Sequence, residues 1–171
     1  MAEKAWLAQV ARAEAMRAWH GAVMGLKPNI QPLIKPFPKW KLKEADGLWC
    51  AAFVYYCCMQ AGYRFPIRPK ECVSCNLAGC GAWEEWAKAD NRVGWLANTC
   101  LPQPGDIVIY DKVFENKVHD HIGIVVEVRE SSILAAEGNL GNMSGVVERP
   151  RDGHIRGYIS LPDHFEYGGE A

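Results

Sequence analysis

The sequence predicts an α+β fold, in which N-terminal helices pack on a C-terminal antiparallel β-sheet. Helical periodicity of apolar residues is confined to the first half of the chain. After a strong turn signal at residues 102–106, short apolar runs follow one another at hairpin spacing. Helices followed by a series of strands are typical of α+β proteins. The length of 171 residues fits a single domain over residues 1–171.

Four segments make up the helical half. Residues 3–24 are rich in alanine, carry apolar residues at helical spacing, and predict a first amphipathic helix. Four prolines within residues 27–39 exclude regular helix and strand, so we expect an extended crossing over the surface. Residues 47–62 predict a buried helix that ends at a glycine. Residues 82–89 predict a short helix with one apolar face.

The strand half consists of apolar runs that are bounded by turn residues. We predict strands over residues 107–110, 121–129, 132–137, 146–149 and 155–160. Their spacing favours hairpins, and therefore an antiparallel sheet.

Composition and charge exclude several classes of function. The chain is 49% apolar and 23% charged, as globular proteins are. A net charge of −1 argues against a nucleic-acid partner. No apolar run reaches 18 residues, so we expect no integral membrane segment. The N-terminal residues lack the basic and apolar regions of a signal peptide, so we expect synthesis in the cytoplasm without an export signal.

Cys50 is the candidate nucleophile, because it falls in the first turn of a predicted helix. Unpaired amides and the positive end of the helix dipole stabilise a thiolate there, and thiol pKa values fall from about 8.5 toward ~3.5–7.5. Cys57 and Cys58 lie in the middle of the same helix and are expected to fill the core.

A cysteine nucleophile needs a base, and the base needs a group that orients it. His121 begins the best predicted strand, so rigid backbone would hold it. Glu137 and Asn139 end the next strand and, being two apart, share one of its faces. His121 meets that face only if the hairpin has an odd register or a bulge, which we place near residues 129–131.

Four motifs in this order resemble the CHAP family, the cysteine, histidine-dependent amidohydrolases/peptidases. They are Trp49-Cys50-Ala51-Ala52-Phe53-Val54, Pro104-Gly105-Asp106-Ile107-Val108, His121-Ile122-Gly123-Ile124-Val125 and Glu137-Gly138-Asn139. The resemblance covers residues 45–162, the expected catalytic core. Further along, Val146-Val147-Glu148-Arg149 and Ile155-Arg156-Gly157-Tyr158 resemble phage-type and bacterial cell-wall hydrolases. An insertion over residues 63–100, with four cysteines, departs from the family pattern.

The resemblance implies a papain-like fold and an activity that needs no metal or organic cofactor. Cys50 would be the nucleophile, His121 the base, Glu137 the orienting group and Asn139 a further polar support. The substrate would be a cell-wall peptide or glycopeptide, cleaved through a thioester by an N-acetylmuramoyl-L-alanine amidase or a stem-peptide endopeptidase. We therefore expect release of the protein from the cytoplasm to the wall.

The remaining cysteines and tryptophans have ordinary interpretations as well. Seven cysteines, an odd number, argue against a disulfide framework. Cys72, Cys75 and Cys80 have a spacing typical of zinc sites, but only Cys100 or a histidine brought near by the fold could complete one, so unliganded thiols are favoured. Trp83, Trp86 and Trp95 are expected to pack in the core rather than stack on sugars. The candidate substrate-binding residues are Trp49, Asp120 and Trp83.

Two other functions fit the sequence. A cytoplasmic thiol amidase or peptidase, acting on a small peptide or γ-glutamyl substrate, would suit the missing export signal and the many thiols. A catalytically silent domain that binds wall peptides or a partner protein would suit the fold alone. The reactivity of Cys50 separates the silent domain from both enzymes.

Overall fold

A computed structural model describes residues 2–168, in which five helices precede a six-stranded antiparallel sheet. The helices are α1 (Lys4–Ala15), α2 (Gln31–Ile34), α3 (Leu42–Ala45), α4 (Cys50–Gln60) and α5 (Cys80–Ala89). The strands are β1 (Gly94–Ala97), β2 (Ile107–Tyr110), β3 (His121–Val128), β4 (Ser132–Leu140), β5 (Met143–Pro150) and β6 (Ile155–Ser160). The predicted α+β class with an antiparallel sheet is confirmed.

The sheet has the strand order β1-β6-β2-β3-β4-β5, so the two longest hairpins lie side by side. One face packs against α4 and α1 and forms the main core. Alternate side chains of β2, β3, β4 and β6 form a second, smaller apolar cluster, which includes Val108, Val125 and Tyr158. None of the helices within residues 2–168 is long and apolar enough to cross a bilayer.

The first helix ends much earlier than predicted, at Ala15 rather than at residue 24. Beyond it Ala18 adopts a positive φ of 56°, and Trp19 turns into the core with 6% of its surface exposed. The backbone of Trp19 then hydrogen-bonds in both directions with Ser144 at the end of the sheet. Pairing with β5 therefore replaces the last two turns of helix that the local pattern favours.

The proline-rich segment over residues 27–39 is not wholly extended, contrary to the prediction. It contains the short helix α2, with Pro32 in its first turn, where a missing N–H leaves no hydrogen bond unmade. The sequence also did not predict α3 or β1. Both are only four residues long, and β1 is held by its pairing with β6.

The helix α4 agrees with its prediction, because Cys50 is its first residue and Gly62 follows it with a φ of +98°. Its side chains are almost all buried, since it lies between α1 and the strands β3 and β4. The helix α5 begins two residues before its predicted start.

The hairpin of β3 and β4 contains the predicted bulge, but closer to its centre. Val128 pairs with Ile133, whereas Val125 pairs with Ala135, so the register shifts between Val125 and Glu127. The shift changes which residues of β4 share a face with His121, as the sequence analysis required.

Close packing of α4 on β4 makes a destabilising substitution easy to choose. A Cβ on Gly138 would lie 2.7 Å from Cβ of Phe53 and 2.8 Å from Cζ3 of Trp49, so Gly138→Ala must displace the helix start. Overpacking of this kind costs about 1–3 kcal/mol in the free energy of unfolding. Urea unfolding measures it. The control, Gly153→Ala, adds a methyl group where nothing lies within 4 Å, and an equal loss in both variants would contradict the packing argument.

Candidate active site

The loop before α4 is tied to the turn between β4 and β5, which fixes where Cys50 lies. The indole N–H of Trp49 donates to Oδ1 of Asn142 at 2.7 Å. The amide of Asn139 donates to the carbonyl of Gly47 at 2.7 Å. Cys50 follows as the first residue of α4, with its thiol at the positive end of the helix dipole.

His121 and Glu137 meet across the β3–β4 hairpin. Nε2 of His121 lies 2.7 Å from Oε1 of Glu137, and both side chains are buried. Cys50 and the same imidazole interact, because each shifts the pKa of the other. Since Nε2 is engaged by Glu137, Nδ1 is the nitrogen left for the thiol. The structure thus brings together the three residues that the sequence analysis selected; their catalytic roles stay predictions.

Gly123 makes room for the Glu137 side chain to reach His121. A Cβ at Gly123 would lie only 2.7 Å from Cγ of Glu137 and 3.1 Å from the carbonyl oxygen of Ala136. Because His121 and Gly123 lie on the same face of β3, the carboxylate passes over the glycine on its way to the imidazole.

Arg149 holds the other side of the Glu137 carboxylate, and the sequence analysis assigned it no role. Its Nη2 donates to Oε1 at 2.6 Å and its Nε donates to Oε2 at 3.2 Å. Burial raises the pKa of Glu137, but the hydrogen bonds from His121 and Arg149 outweigh it and lower that pKa overall. The carboxylate therefore stays ionised. The only signal in the sequence is an arginine in a strand next to β4.

Aromatic rings enclose the imidazole. Tyr110 stacks on His121 with ring centroids 5.8 Å apart and planes 18° apart, and Phe114 contacts it edge-on at 4.7 Å. Asp120 fixes the loop that carries Phe114, because its Oδ2 accepts the backbone N–H groups of Phe114 and Glu115 at 2.7 and 2.9 Å. These contacts limit the rotation of the base.

A second thiol, that of Cys80, touches the candidate nucleophile. Its Sγ lies 3.7 Å from Sγ of Cys50. In the sequence, Cys80 stands out only as part of a possible zinc spacing, and no local pattern links two cysteines that are 30 positions apart.

The surroundings of Cys50 and His121 favour an ion pair between the two side chains. A hydrogen bond from Cys80 is the largest influence on Cys50 and, with that from His121, lowers the pKa of the thiol to about 5 against the opposing effect of burial. Burial disfavours the charge on His121, but hydrogen bonds to Cys50 and Glu137 outweigh it and raise the pKa of the imidazole to about 9. Thiolate and imidazolium therefore coexist between about pH 5 and pH 9.

A cleft of about 790 Å³ opens over the thiol. Asp120 and Asn139 line it, together with charged side chains of both signs such as Lys39 and Glu115. Among residues 2–168, Oδ1 of Asp120 is buried and has no hydrogen-bond partner. Asp120 lines the cleft, and its contact with a substrate stays a prediction.

Two of the predicted substrate contacts are wrong. Trp49 and Trp83 are fully buried, and the indole N–H of Trp83 donates to the carbonyl of Leu77 at 2.9 Å. Neither ring has surface to offer to a substrate. Trp83 instead packs on Phe65 and Trp86, as the alternative interpretation of these tryptophans expects.

Asn139 lies near the site but supports the backbone rather than the base. Its φ of +61° and the register shift between β4 and β5 turn it out of the strand alternation that would have aligned it with Glu137. Its side-chain amide donates a hydrogen bond to the carbonyl of Gly47, in the loop before the nucleophile. Asn139 is thus a polar support of the loop before Cys50, and a role in catalysis stays a prediction.

The other cysteines have different surroundings. Cys57 and Cys58 are fully buried in α4, and burial raises the pKa of each thiol. Burial likewise raises the pKa of Cys72 to about 11. Within residues 2–168, no three or more histidine, cysteine or acidic side chains are grouped so that they could hold a metal ion.

The ion pair predicts unusual reactivity at mildly acidic pH. An ordinary thiol with a pKa of about 8.5 is almost fully protonated at pH 6, whereas Cys50 is mostly thiolate there. We expect rapid labelling of Cys50 by iodoacetamide at pH 6, with a rate that falls only as the pH drops through about 5. Cys80→Ala removes a donor to the thiolate and moves this inflexion to higher pH, whereas Cys80→Ser keeps a donor. Slow, ordinary labelling of Cys50 at pH 6 would rule out the ion pair.

Gly123→Ala tests whether Glu137 sustains the charge on His121. The added methyl group displaces the carboxylate, so the pKa of the imidazole falls, and an NMR titration of the His121 ring protons measures this fall. The matched control is Gly145→Ala, since Gly145 pairs with Glu137 on the opposite side and has only ordinary space, with Leu140 Cδ1 at 3.5 Å. An unchanged imidazole pKa in a folded Gly123→Ala protein would show that Glu137 does not set the pKa of the base.

Comparison with known families agrees with this geometry. The CHAP domain model matches residues 42–139, which is more than half of the chain and includes Cys50, His121 and Glu137. Domains of this kind are associated with amidase and peptidase hydrolysis in peptidoglycan-related proteins. No curated protein matches the sequence. The match and the site together lead to one conclusion: the chain belongs to the CHAP family.

Proposed function

We propose that the protein is a cysteine hydrolase that cleaves an amide bond in bacterial peptidoglycan. The observation that carries the proposal is the row of Cys50, His121 and Glu137, which begins at a helix N-terminus and opens onto a cleft. We further propose that the fold is papain-like. In support, the helix that carries the nucleophile packs on the antiparallel sheet that carries the base.

The first chemical step follows from the ion pair. The Cys50 thiolate attacks the carbonyl carbon of the scissile amide, and the carbonyl oxygen takes up the negative charge. The backbone amide of Cys50, in the first turn of α4, has no partner within the helix and is a natural donor to that oxyanion, together with one further donor. Protonated His121 then gives its proton to the leaving amine, which leaves a thioester on Cys50.

The second step regenerates the enzyme. The neutral imidazole accepts a proton from water, which attacks the thioester carbonyl and releases the acid product. Glu137, held by Arg149, fixes the imidazole by its hydrogen bond to Nε2 and stabilises the imidazolium in each cycle. In both reaction steps, the charges are carried by the protein's own side chains and by the substrate.

The cleft supports a peptide or glycopeptide substrate. Its volume of about 790 Å³ accommodates several residues, and its charged rim offers partners to both amino and carboxyl groups. Asp120 lines the same cleft as Cys50 and is the proposed acceptor for a substrate N–H. Since this substrate lies in the cell wall, the proposal includes release of the protein to the wall. The bond that is cleaved is the one cut by an N-acetylmuramoyl-L-alanine amidase or the one cut by a stem-peptide endopeptidase.

Digestion of purified sacculi tests the function. The wild-type protein should release fragments with new amino termini, and mass spectrometry of these fragments identifies the bond. Cys50→Ala should lower the rate by about three orders of magnitude or more, because the members of a catalytic unit act together.

Cys100→Ala is the matched control, since Cys100 is exposed and outside the cleft. It should retain the wild-type rate. Digestion that persists in Cys50→Ala, or an absence of any release by the wild type, would contradict a wall hydrolase. Rapid labelling of Cys50 without release of wall fragments would instead favour hydrolysis of a small peptide or γ-glutamyl substrate.

A further inference from the structure

Two helix N-termini converge on a pair of thiols. Cys50 is the first residue of α4 and Cys80 is the first residue of α5, with Sγ atoms 3.7 Å apart. Each side chain is almost buried, yet both line the cleft, so a molecule of the size of water can reach them. Cys80 lies in the insertion over residues 63–100, outside the motifs that carry the family resemblance.

The mechanism of amide hydrolysis does not need a second sulfur at this position. As a donor to the thiolate, a hydroxyl group would serve as well. Unlike a hydroxyl, a thiol can form a disulfide bond with an oxidised neighbouring cysteine. We propose that Cys50 and Cys80 form a reversible disulfide when the protein meets a peroxide. The predicted loss of hydrolysis rests on the proposed function, but the formation of the bond does not.

The chemistry proceeds in two steps. The Cys50 thiolate attacks one peroxide oxygen, the O–O bond breaks, and the departing oxygen takes up a proton to leave as water or an alcohol. Cys50 is then a sulfenic acid. The sulfur of Cys80 attacks the sulfur of Cys50, the S–O bond breaks, and the hydroxyl group leaves as water with the proton of the Cys80 thiol. The two thiols are oxidised together and one peroxide is reduced.

The geometry favours the second step. A disulfide has an S–S distance of about 2.05 Å, so the sulfurs must approach from their present 3.7 Å. Glycines flank Cys80 on both sides, at positions 79 and 81, and leave its backbone free to adjust. Further along, Glu84 accepts hydrogen bonds from Arg156 at 2.8 and 3.0 Å and pairs with His119, which anchors α5 beside the site. Cys80 is thus held within reach of an oxidised Cys50.

The other cysteines of the insertion are placed less well to attack an oxidised Cys50. Cys72 donates to the carbonyl of Ala82 at 3.4 Å, inside the fold. Cys75 also lines the cleft, but its sulfur lies over Gly79, where a Cβ would be 2.7 Å away. Cys75 is therefore the matched control for Cys80, because it is a cleft cysteine of the same insertion without a contact to Cys50.

Peptide mapping after oxidation tests the proposal. The reduced full-length protein is treated with hydrogen peroxide, its free thiols are blocked, and its peptides are separated without reduction. We expect a cross-linked peptide that contains Cys50 and Cys80 in the wild type and in Cys75→Ser. Iodoacetamide labelling of Cys50 should be lost on oxidation and should return after treatment with dithiothreitol.

Cys80→Ser should change the outcome of the same treatment. Without a resolving thiol, Cys50 should proceed to the sulfinic acid, and dithiothreitol should no longer restore its labelling. Cys80→Ala, compared by circular dichroism with the wild type, separates this effect from misfolding. Sulfinic acid on Cys50 in the wild type, or a cross-link from Cys50 to Cys75, would overturn the proposal. The mapping needs no wall substrate, so its outcome is independent of whether sacculi are digested.

Discussion

A row of four alternating charges in the interior governs the arrangement of this protein. The thiolate of Cys50, the imidazolium of His121, the carboxylate of Glu137 and the guanidinium of Arg149 follow one another in hydrogen-bonding order. An isolated charge in such surroundings would cost several kcal/mol, whereas here each charge has a neighbour of opposite sign. The four groups come from α4, β3, β4 and β5, so the helix and the three strands must all be in place for each buried charge to have its neighbour.

The local part of this arrangement can be predicted from the sequence. A cysteine at the start of an apolar helix is a local pattern, and so is a histidine at the head of a strand. Each can be recognised from a few neighbouring residues. The need for a bulge follows from the alternation of side chains in strands, and the structure contains it at residue 126. The glycine at 123 and the left-handed turn at Asn139 are further requirements of the same hairpin that alternation alone does not reveal.

The rest depends on contacts between distant segments. Arg149 contacts Glu137 from the next strand, and Cys80 contacts Cys50 from another helix. No spacing in the sequence predicts either contact. Burial of Trp49 and Trp83 likewise depends on what surrounds them. A tryptophan beside a nucleophile and a tryptophan in the core have the same local sequence signal.

The residues that follow α1 leave the helix and pair with β5, and this pairing affects the behaviour of the protein in solution. The strand β5 lies at the end of the sheet and offers unpaired backbone groups, which in other proteins recruit strands of neighbouring molecules. Here Trp19 bonds to Ser144 and the N–H of Gly21 donates to the carbonyl of Asn142, so the segment pairs with the start of β5. The opposite edge is formed by β1, which is only four residues long. The start of one edge is thus covered and the other edge is short, and both features disfavour edge-to-edge association.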